Sequence, residues 1–164
     1  MSSFVLELAY LAQGSSTVRL EAETTEIGLA AQGWPGRVYA DLRFERSGDR
    51  ITVRGEVRAV TRLECFRCLR EYELLLEVPF DVFAEQSGKS SRRDEIELER
   101  DDYMMFHDGR RLDLREQVRE ALLLELPIAP HCREDCQGLC PRCGANLNDG
   151  PCACRDLFGV PERN

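Results

Sequence analysis

Eight cysteines constrain this chain more than any other feature. Two form Cys65-Phe66-Arg67-Cys68, and six crowd the far end as Cys132-x3-Cys136-x3-Cys140-x2-Cys143 and then Cys152-x-Cys154. Closely spaced pairs suit tetrahedral metal coordination, because a tight turn aims both sulfurs at one point. Compartment decides whether such pairs are read as metal ligands or disulfides. The stretch Met1 to Leu11 lacks a positive n-region, carries Glu7 and shows no cleavage site. A cytoplasmic chain with reduced thiols is therefore expected, and structural zinc with it.

Eight thiolates suit two Zn2+ ions of four ligands each. One grouping puts Cys140, Cys143, Cys152 and Cys154 on one ion. Cys65, Cys68, Cys132 and Cys136 then share the other, clamping the tail onto a β-hairpin. An alternative gathers Cys132, Cys136, Cys140 and Cys143 on a single ion, since spacing specifies ligand type and not pairing. Cys140-Pro-Arg-Cys143-Gly144 has the form of a zinc knuckle, whose glycine lets backbone amides turn toward the thiolates. From His131 onward cysteines and glycines replace apolar periodicity. A segment so poor in core residues needs a metal staple, worth on the order of 10 kcal/mol or more per closed site.

The same residues argue against catalysis. A catalytic zinc keeps an open position and usually has His or a carboxylate at hand, whereas the two histidines here read as a surface loop residue (His107) and an exposed or supporting neighbour of Cys132 (His131). Cys65 and Cys68 lack the βαβ context of a redox pair. No phosphate loop, nucleophile elbow or paired catalytic carboxylates occur, so neither a reaction nor a small-molecule substrate is expected.

The 164 residues, 43% apolar and 32% charged, suit one soluble globular domain. No run approaches the roughly 20 apolar residues that span a bilayer. Residues 1–84 read as mainly β. Val38, Ala40, Leu42 and Phe44 alternate with Tyr39, Asp41 and Arg43, which is the period of a half-buried strand. After the turn Ser47-Gly48-Asp49, Ile51, Val53, Val57, Ala59 and Leu63 point inward. Beyond Cys68 a further strand turns Leu74, Leu76, Val78, Phe80 and Val82 to one face, and Val18, Leu20 and Ala22 suggest a shorter one. Antiparallel neighbours joined by short turns are the economical topology. Trp34-Pro35-Gly36 reads as a loop with Trp34 packed.

Residues 85–102 read as a flexible polar loop and 103–130 as a helical segment. There Asp113 to Glu116 comes close to a capping box, and Leu114, Val118, Ala121 and Leu122 line one helical face. Pro127 ends the helix. Residues 131–164 form the cysteine-rich module. The expected fold is α+β: an antiparallel sheet, one amphipathic helix and a C-terminal zinc-knuckle module.

The net charge of −8 argues against nonspecific coating of nucleic acid. It is unevenly spread: Arg37 to Arg70 is net +4, and Glu71 to Leu126 is net −8. Arg54, Arg58 and Arg62 fall on one strand face, with Arg67 and Arg70 beside the first cysteine pair. Such a row suits phosphates, though its ordinary reading is a solvated face interspersed with Glu56 and Glu64. No aromatic row interleaves with it to stack bases. The acidic stretch suits a basic protein partner instead.

In chain order the motifs run Val53-x-Gly55, Leu63-Glu64-Cys65-x-Arg67-Cys68-Leu69, Leu112-Asp113-Leu114 and Leu124-x-Leu126-Pro127. They end with Cys136-x-Gly138-Leu139-Cys140-Pro141-x-Cys143-Gly144-x-Asn146-Leu147-Asn148. This ordered set resembles the bacterial YceD family, the large ribosomal RNA subunit accumulation proteins, from Ile51 to Cys154. The N-terminal third matches only in general strand character, and Arg155 to Asn164 departs from the family's usual ending. The resemblance implies a part in accumulating or maturing large-subunit ribosomal RNA, with that RNA or a pre-ribosomal particle as partner. It supplies no reaction. Two roles follow: an RNA-associated assembly factor, or a protein adaptor that docks a basic ribosomal protein or assembly factor without touching RNA.

Overall fold

The computed structural model describes residues 4–86 and 104–155. The polar loop expected at 85–102 lies outside them but for its first two residues, as does the tail beyond Arg155. Contacts divide the chain into two compact units: Met1–Thr61 with Leu74–Leu126, and Arg62–Glu73 with Pro127–Asn164. The second unit thus joins the tip around Cys65 and Cys68 to the cysteine-rich segment.

The first unit is α+β. Its strands are β1 (Val5–Glu7), β2 (Gly14–Glu23), β3 (Arg37–Ser47), β4 (Arg50–Glu64), β5 (Glu71–Gln86), β6 (Met104–His107) and β7 (Arg111–Asp113). The ends of β4 and β5 belong to the second unit. Strands pair in the order β2-β3-β4-β5-β6, and β1 pairs with β7 in a separate two-stranded sheet. The single α-helix among the described residues is α1 (Arg115–Leu124). No described helix is long and apolar enough to cross a membrane.

Alternation in the sequence becomes one buried sheet face. Val38, Ala40, Leu42 and Phe44 of β3, Ile51, Val53, Val57 and Ala59 of β4, and Leu76, Val78, Phe80 and Val82 of β5 are all buried. Leu114, the N-cap of α1, and Val118 and Leu122 within it are fully buried in the same cluster, with Phe4, Leu8 and Trp34. Each buried Val, Leu, Ile or Phe side chain stabilises by about 1.5 to 3 kcal/mol relative to exposure.

Four local features differ from the sequence reading. β2 runs well beyond Val18 to Ala22, pairing with β3 from Gly14↔Arg46 to Glu23↔Arg37. It is an edge strand whose first residues are polar, so ladder hydrogen bonds hold it where no apolar alternation exists. β6 pairs with β5 in parallel, an exception to the expected antiparallel pairing that β2, β3 and β4 follow. The helix starts one residue late, capped by Leu114 with no side-chain bond. Burial of Leu114, whose N–H donates to Phe4 O at 2.8 Å, sets that start, and the Asp113 carboxylate instead accepts the Arg115 N–H at 3.1 Å. A capping box does occur, at Glu23 and Glu26 around the 3-10 turn Thr24–Ile27. Finally, His107 is no surface loop residue: it ends β6, is buried, and its Nε2 lies 3.0 Å from Asp49 O.

Candidate metal centre

In the second unit the sulfurs gather into two groups of four. Cys65, Cys68, Cys132 and Cys136 form one, Cys140, Cys143, Cys152 and Cys154 the other, each with all its Sγ atoms within 4.8 Å of one another. The alternative set of Cys132, Cys136, Cys140 and Cys143 is not brought together. His131 is exposed and belongs to neither group.

The first centre is built by two turns. Cys65 N–H donates to Arg70 O at 2.9 Å and Leu69 N–H to Cys65 O at 2.9 Å, closing a loop around Cys65 and Cys68. Leu69 takes the left-handed region, with φ of 57°, at a cost of about 1 to 2 kcal/mol for a residue with a side chain. The second centre repeats this turn: Gly144 N–H donates to Cys140 O at 2.9 Å, and its φ is 73°. The knuckle glycine therefore occupies, without strain, the position that Leu69 strains to fill.

Gly138 locks the two motifs together. Its φ is 74°, and a Cβ there would sit 3.0 Å from Arg67 O. This close approach lets Leu139 N–H reach Arg67 O at 3.1 Å. Asn146 and Asn148, which the sequence shows only as parts of a motif, also act on the first centre. Asn148 Nδ2 donates to Cys136 Sγ at 3.4 Å and to Asn146 Oδ1 at 2.7 Å. Its Oδ1 accepts the Gln137 N–H at 2.8 Å. The signal available beforehand was the pair of asparagines just downstream of a knuckle, but nothing in the spacing says which sulfur they serve.

The donor set fits a soft divalent cation. Sulfurs about 2.3 Å from a zinc at tetrahedral corners stand about 3.8 Å apart. Here Cys65 and Cys136 are separated by 3.8 Å and Cys68 and Cys132 by 3.7 Å. All eight cysteines are free, with no disulfide among them. Protonation points the same way. Burial raises the Cys65 thiol, but backbone amides of Cys132, Cys68 and Arg67 outweigh it and bring the value down to about 6. Burial and the neighbouring thiols push Cys132 up to about 12. In the second group, amides of Cys143 and Arg142 lower Cys140 to about 6, while the Cys143 thiol raises Cys154 to about 12. Asn148 also lowers Cys136, so each cluster favours some thiolates and opposes others, a repulsion that a bound cation would relieve.

The five arginines of the expected RNA face have partners. Arg54 meets Asp81 at 3.2 Å and lies over the Phe83 ring, 5.9 Å from its centre. Arg58 pairs with Asp41, and Arg62 with Glu73 at 3.1 Å. Arg67 donates to Cys136 O at 3.1 Å, bracing the first centre, and Arg70 meets Asp149 at 3.4 Å.

Comparison with known proteins places these features in a family. Relatives include an uncharacterised protein of Mycobacterium leprae, 33% identical over 70% of this chain and 51% of its own length. An uncharacterised protein of Mycobacterium tuberculosis is 35% identical over 68% of this chain and 52% of its own. In Zea mays the relative is a chloroplastic protein named large ribosomal RNA subunit accumulation protein YCED homolog 1, 29% identical over 72% of this chain and 48% of its own. The chain spans about half the length of the curated relatives it matches. No solved structure matches it significantly. The family described as large ribosomal RNA subunit accumulation protein YceD matches residues 53–159, a span that takes in both cysteine clusters, and the chain belongs to that YceD family.

Proposed function

We propose that this chain is a non-catalytic factor that supports accumulation of large-subunit ribosomal RNA during ribosome assembly in the cytoplasm, with two structural Zn2+ ions holding its second unit. The carrying observation is the family match across residues 53–159, which begins on β4 and includes all eight cysteines. The eight thiolates would hold the two ions in the groups described, and bound metal supplies cross-links and charge neutralisation there. Closed sets of four sulfurs leave no position for water or substrate, which is the mark of a structural and not a catalytic site.

The partner in this reading is large-subunit ribosomal RNA or a pre-ribosomal particle. Ultraviolet crosslinking of the tagged protein in cells, followed by sequencing of bound RNA, tests it. Enrichment at defined large-subunit positions is expected. Absence both from crosslinked RNA and from sedimenting assembly intermediates would overturn the ribosomal assignment.

The adaptor reading has one observation in its favour. Arg54, Arg58 and Arg62 are each neutralised by a carboxylate, so the row presents little net positive charge to phosphates. Four thiolates around a divalent ion would also leave each centre with a formal charge of about −2, which suits a basic ribosomal protein. Co-sedimentation with assembly intermediates in the absence of RNA crosslinks favours this role.

A further inference from the structure

If the strand row is neutralised, any RNA contact needs cations elsewhere. Arg46 of β3, Arg110 in the turn between β6 and β7, and Arg111 at the start of β7 line one cleft of about 470 Å³ in the first unit. Among the described residues, no carboxylate stands within ion-pair distance of these three guanidinium groups. Glu7 is the one acid lining the cleft.

The backbone beneath them is fixed. Asp108 Oδ1 accepts the N–H groups of both Arg110 and Arg111, each at 2.7 Å. Gly109 N–H donates to Nδ1 of the buried His107 at 3.0 Å, and Leu8 N–H donates to Arg110 O at 2.8 Å. These bonds use main-chain atoms, so two consecutive exposed guanidinium groups project from a rigid turn. Asp108 tempers Arg110 electrostatically, but its oxygen is occupied by the amides. Arg46 is held by Nη1 donating to Leu8 O at 2.7 Å and Leu11 O at 3.0 Å. Its buried Nε–H has no acceptor. A buried donor without a partner is uncommon. Tyr10, which follows the lining residue Ala9, is 85% exposed. Uncovered aromatics and guanidinium groups are the side chains that bind single-stranded nucleic acid, phosphate on the cations and base on the ring.

We propose that this cleft binds a backbone phosphate of single-stranded RNA, with Arg110 and Arg111 on the phosphate oxygens and Tyr10 stacking a neighbouring base. This rests on the ribosomal RNA reading and moves the contact from the Arg54, Arg58 and Arg62 row to the turn after β6.

The test is fluorescence anisotropy with labelled single-stranded fragments of large-subunit ribosomal RNA across a salt series. Wild type is compared with the double variant Arg110→Ala/Arg111→Ala and the triple variant Arg54→Ala/Arg58→Ala/Arg62→Ala. Alanine keeps the amides that Asp108 accepts, and an unchanged melting temperature confirms the fold of each variant. Loss of the phosphate contact should lower the slope of log affinity against log salt by about 0.7, the value for one phosphate on a single strand. The triple variant should keep the wild-type slope. A double variant that binds like wild type overturns the cleft while leaving the RNA reading in place. Failure of wild type to bind any fragment defeats direct RNA contact, and arginine Nε–H spectra with tripolyphosphate then identify the ligand class. Shifts at Arg46, Arg110 and Arg111 would make it a free phosphate or nucleotide site, overturning RNA as the ligand. No shift would overturn the cleft as an anion site of any kind.

Discussion

The two units solve the same problem with different materials. In the first, a continuous cluster of buried apolar residues from three long strands, α1 and the N-terminal segment excludes water. In the second, the buried cluster is Cys65, Cys68 and Cys136, with Tyr72, Cys132 and Leu139 partly buried against it. Burial scales with apolar area, so the first unit carries its own stability. The second has almost no such area, and its order depends on sulfurs that repel one another once ionised. One region is specified by a pattern of side chains along the chain, the other by two groups of sulfurs gathered where each could hold a metal ion.

Metal removal should separate the two most sharply. Structural zinc sites of this kind are worth about 10 to 16 kcal/mol of apparent binding free energy at neutral pH. Elemental analysis of the purified protein should return two zinc ions per chain. Strong chelation should abolish amide dispersion for residues 127–155 in NMR spectra while leaving the strands of the first unit protected. A chain that is metal-free as purified yet keeps ordered cysteine turns would remove the distinction altogether.

The converse experiment breaks the first unit. Phe44 of β3 is 1% exposed on the buried sheet face, and Phe44→Ala should cost about 3 to 5 kcal/mol through lost burial and a residual cavity. Denaturant unfolding should show the loss, and the zinc content of the folded fraction should not change. Loss of zinc from that fraction would mean that the cysteine clusters lean on the apolar core, contrary to the comparison.

How far each unit was legible follows from the same contrast. Period-two alternation from Val38 to Phe44 and from Ile51 to Leu63 is visible because burial on one face selects apolar residues one by one. The edge strand β2 is held by its ladder to β3 and has polar residues at Ser15 to Thr17, so most of its length left no trace. The cysteines announce their chemistry through spacing. Their supports do not: Arg67 reaches Cys136 O across 69 residues of chain, and Asn148 reaches Cys136 Sγ across 12 residues folded back by tight turns. His107 misled for a related reason, since a lone histidine beside Asp and Gly has the composition of a loop, and only the β5–β6 pairing puts it inside.

Asn148 sharpens the comparison within the second unit. Its amide is the largest influence lowering the Cys136 thiol. Groups that support metal ligands in this way typically change affinity 10- to 100-fold, about 1.4 to 2.7 kcal/mol. Asn148→Ala should therefore weaken zinc retention at the first centre by that factor in a chelator competition, with the second centre and the first unit unaffected. Equal weakening at both centres would show that the two clusters behave as one cooperative site.

The smallest effect lies in the first unit and concerns pH. Arg115 beside Asp113 holds its carboxyl below the usual carboxylate value, against the opposing effect of burial, and Arg115 Nη2 lies 2.5 Å from Asp113 Oδ2. A depressed carboxylate contributes stability that is fully present above its unfolded value, about 3.9, and is lost as pH falls through the lower folded value. Both groups are largely exposed, with side-chain accessibilities of 50% and 45%, so screening limits the pair to about 0.2 to 1 kcal/mol. Asp113→Asn should therefore lower stability slightly at pH 7 and make no difference once pH is below the folded value, as measured by urea unfolding at both conditions. The cysteine clusters should fail at higher pH on the same descent, because protons compete with metal for thiolates. Acidification should thus release zinc and disorder the second unit while the first remains folded; simultaneous loss of both would mean that the two units share one stability.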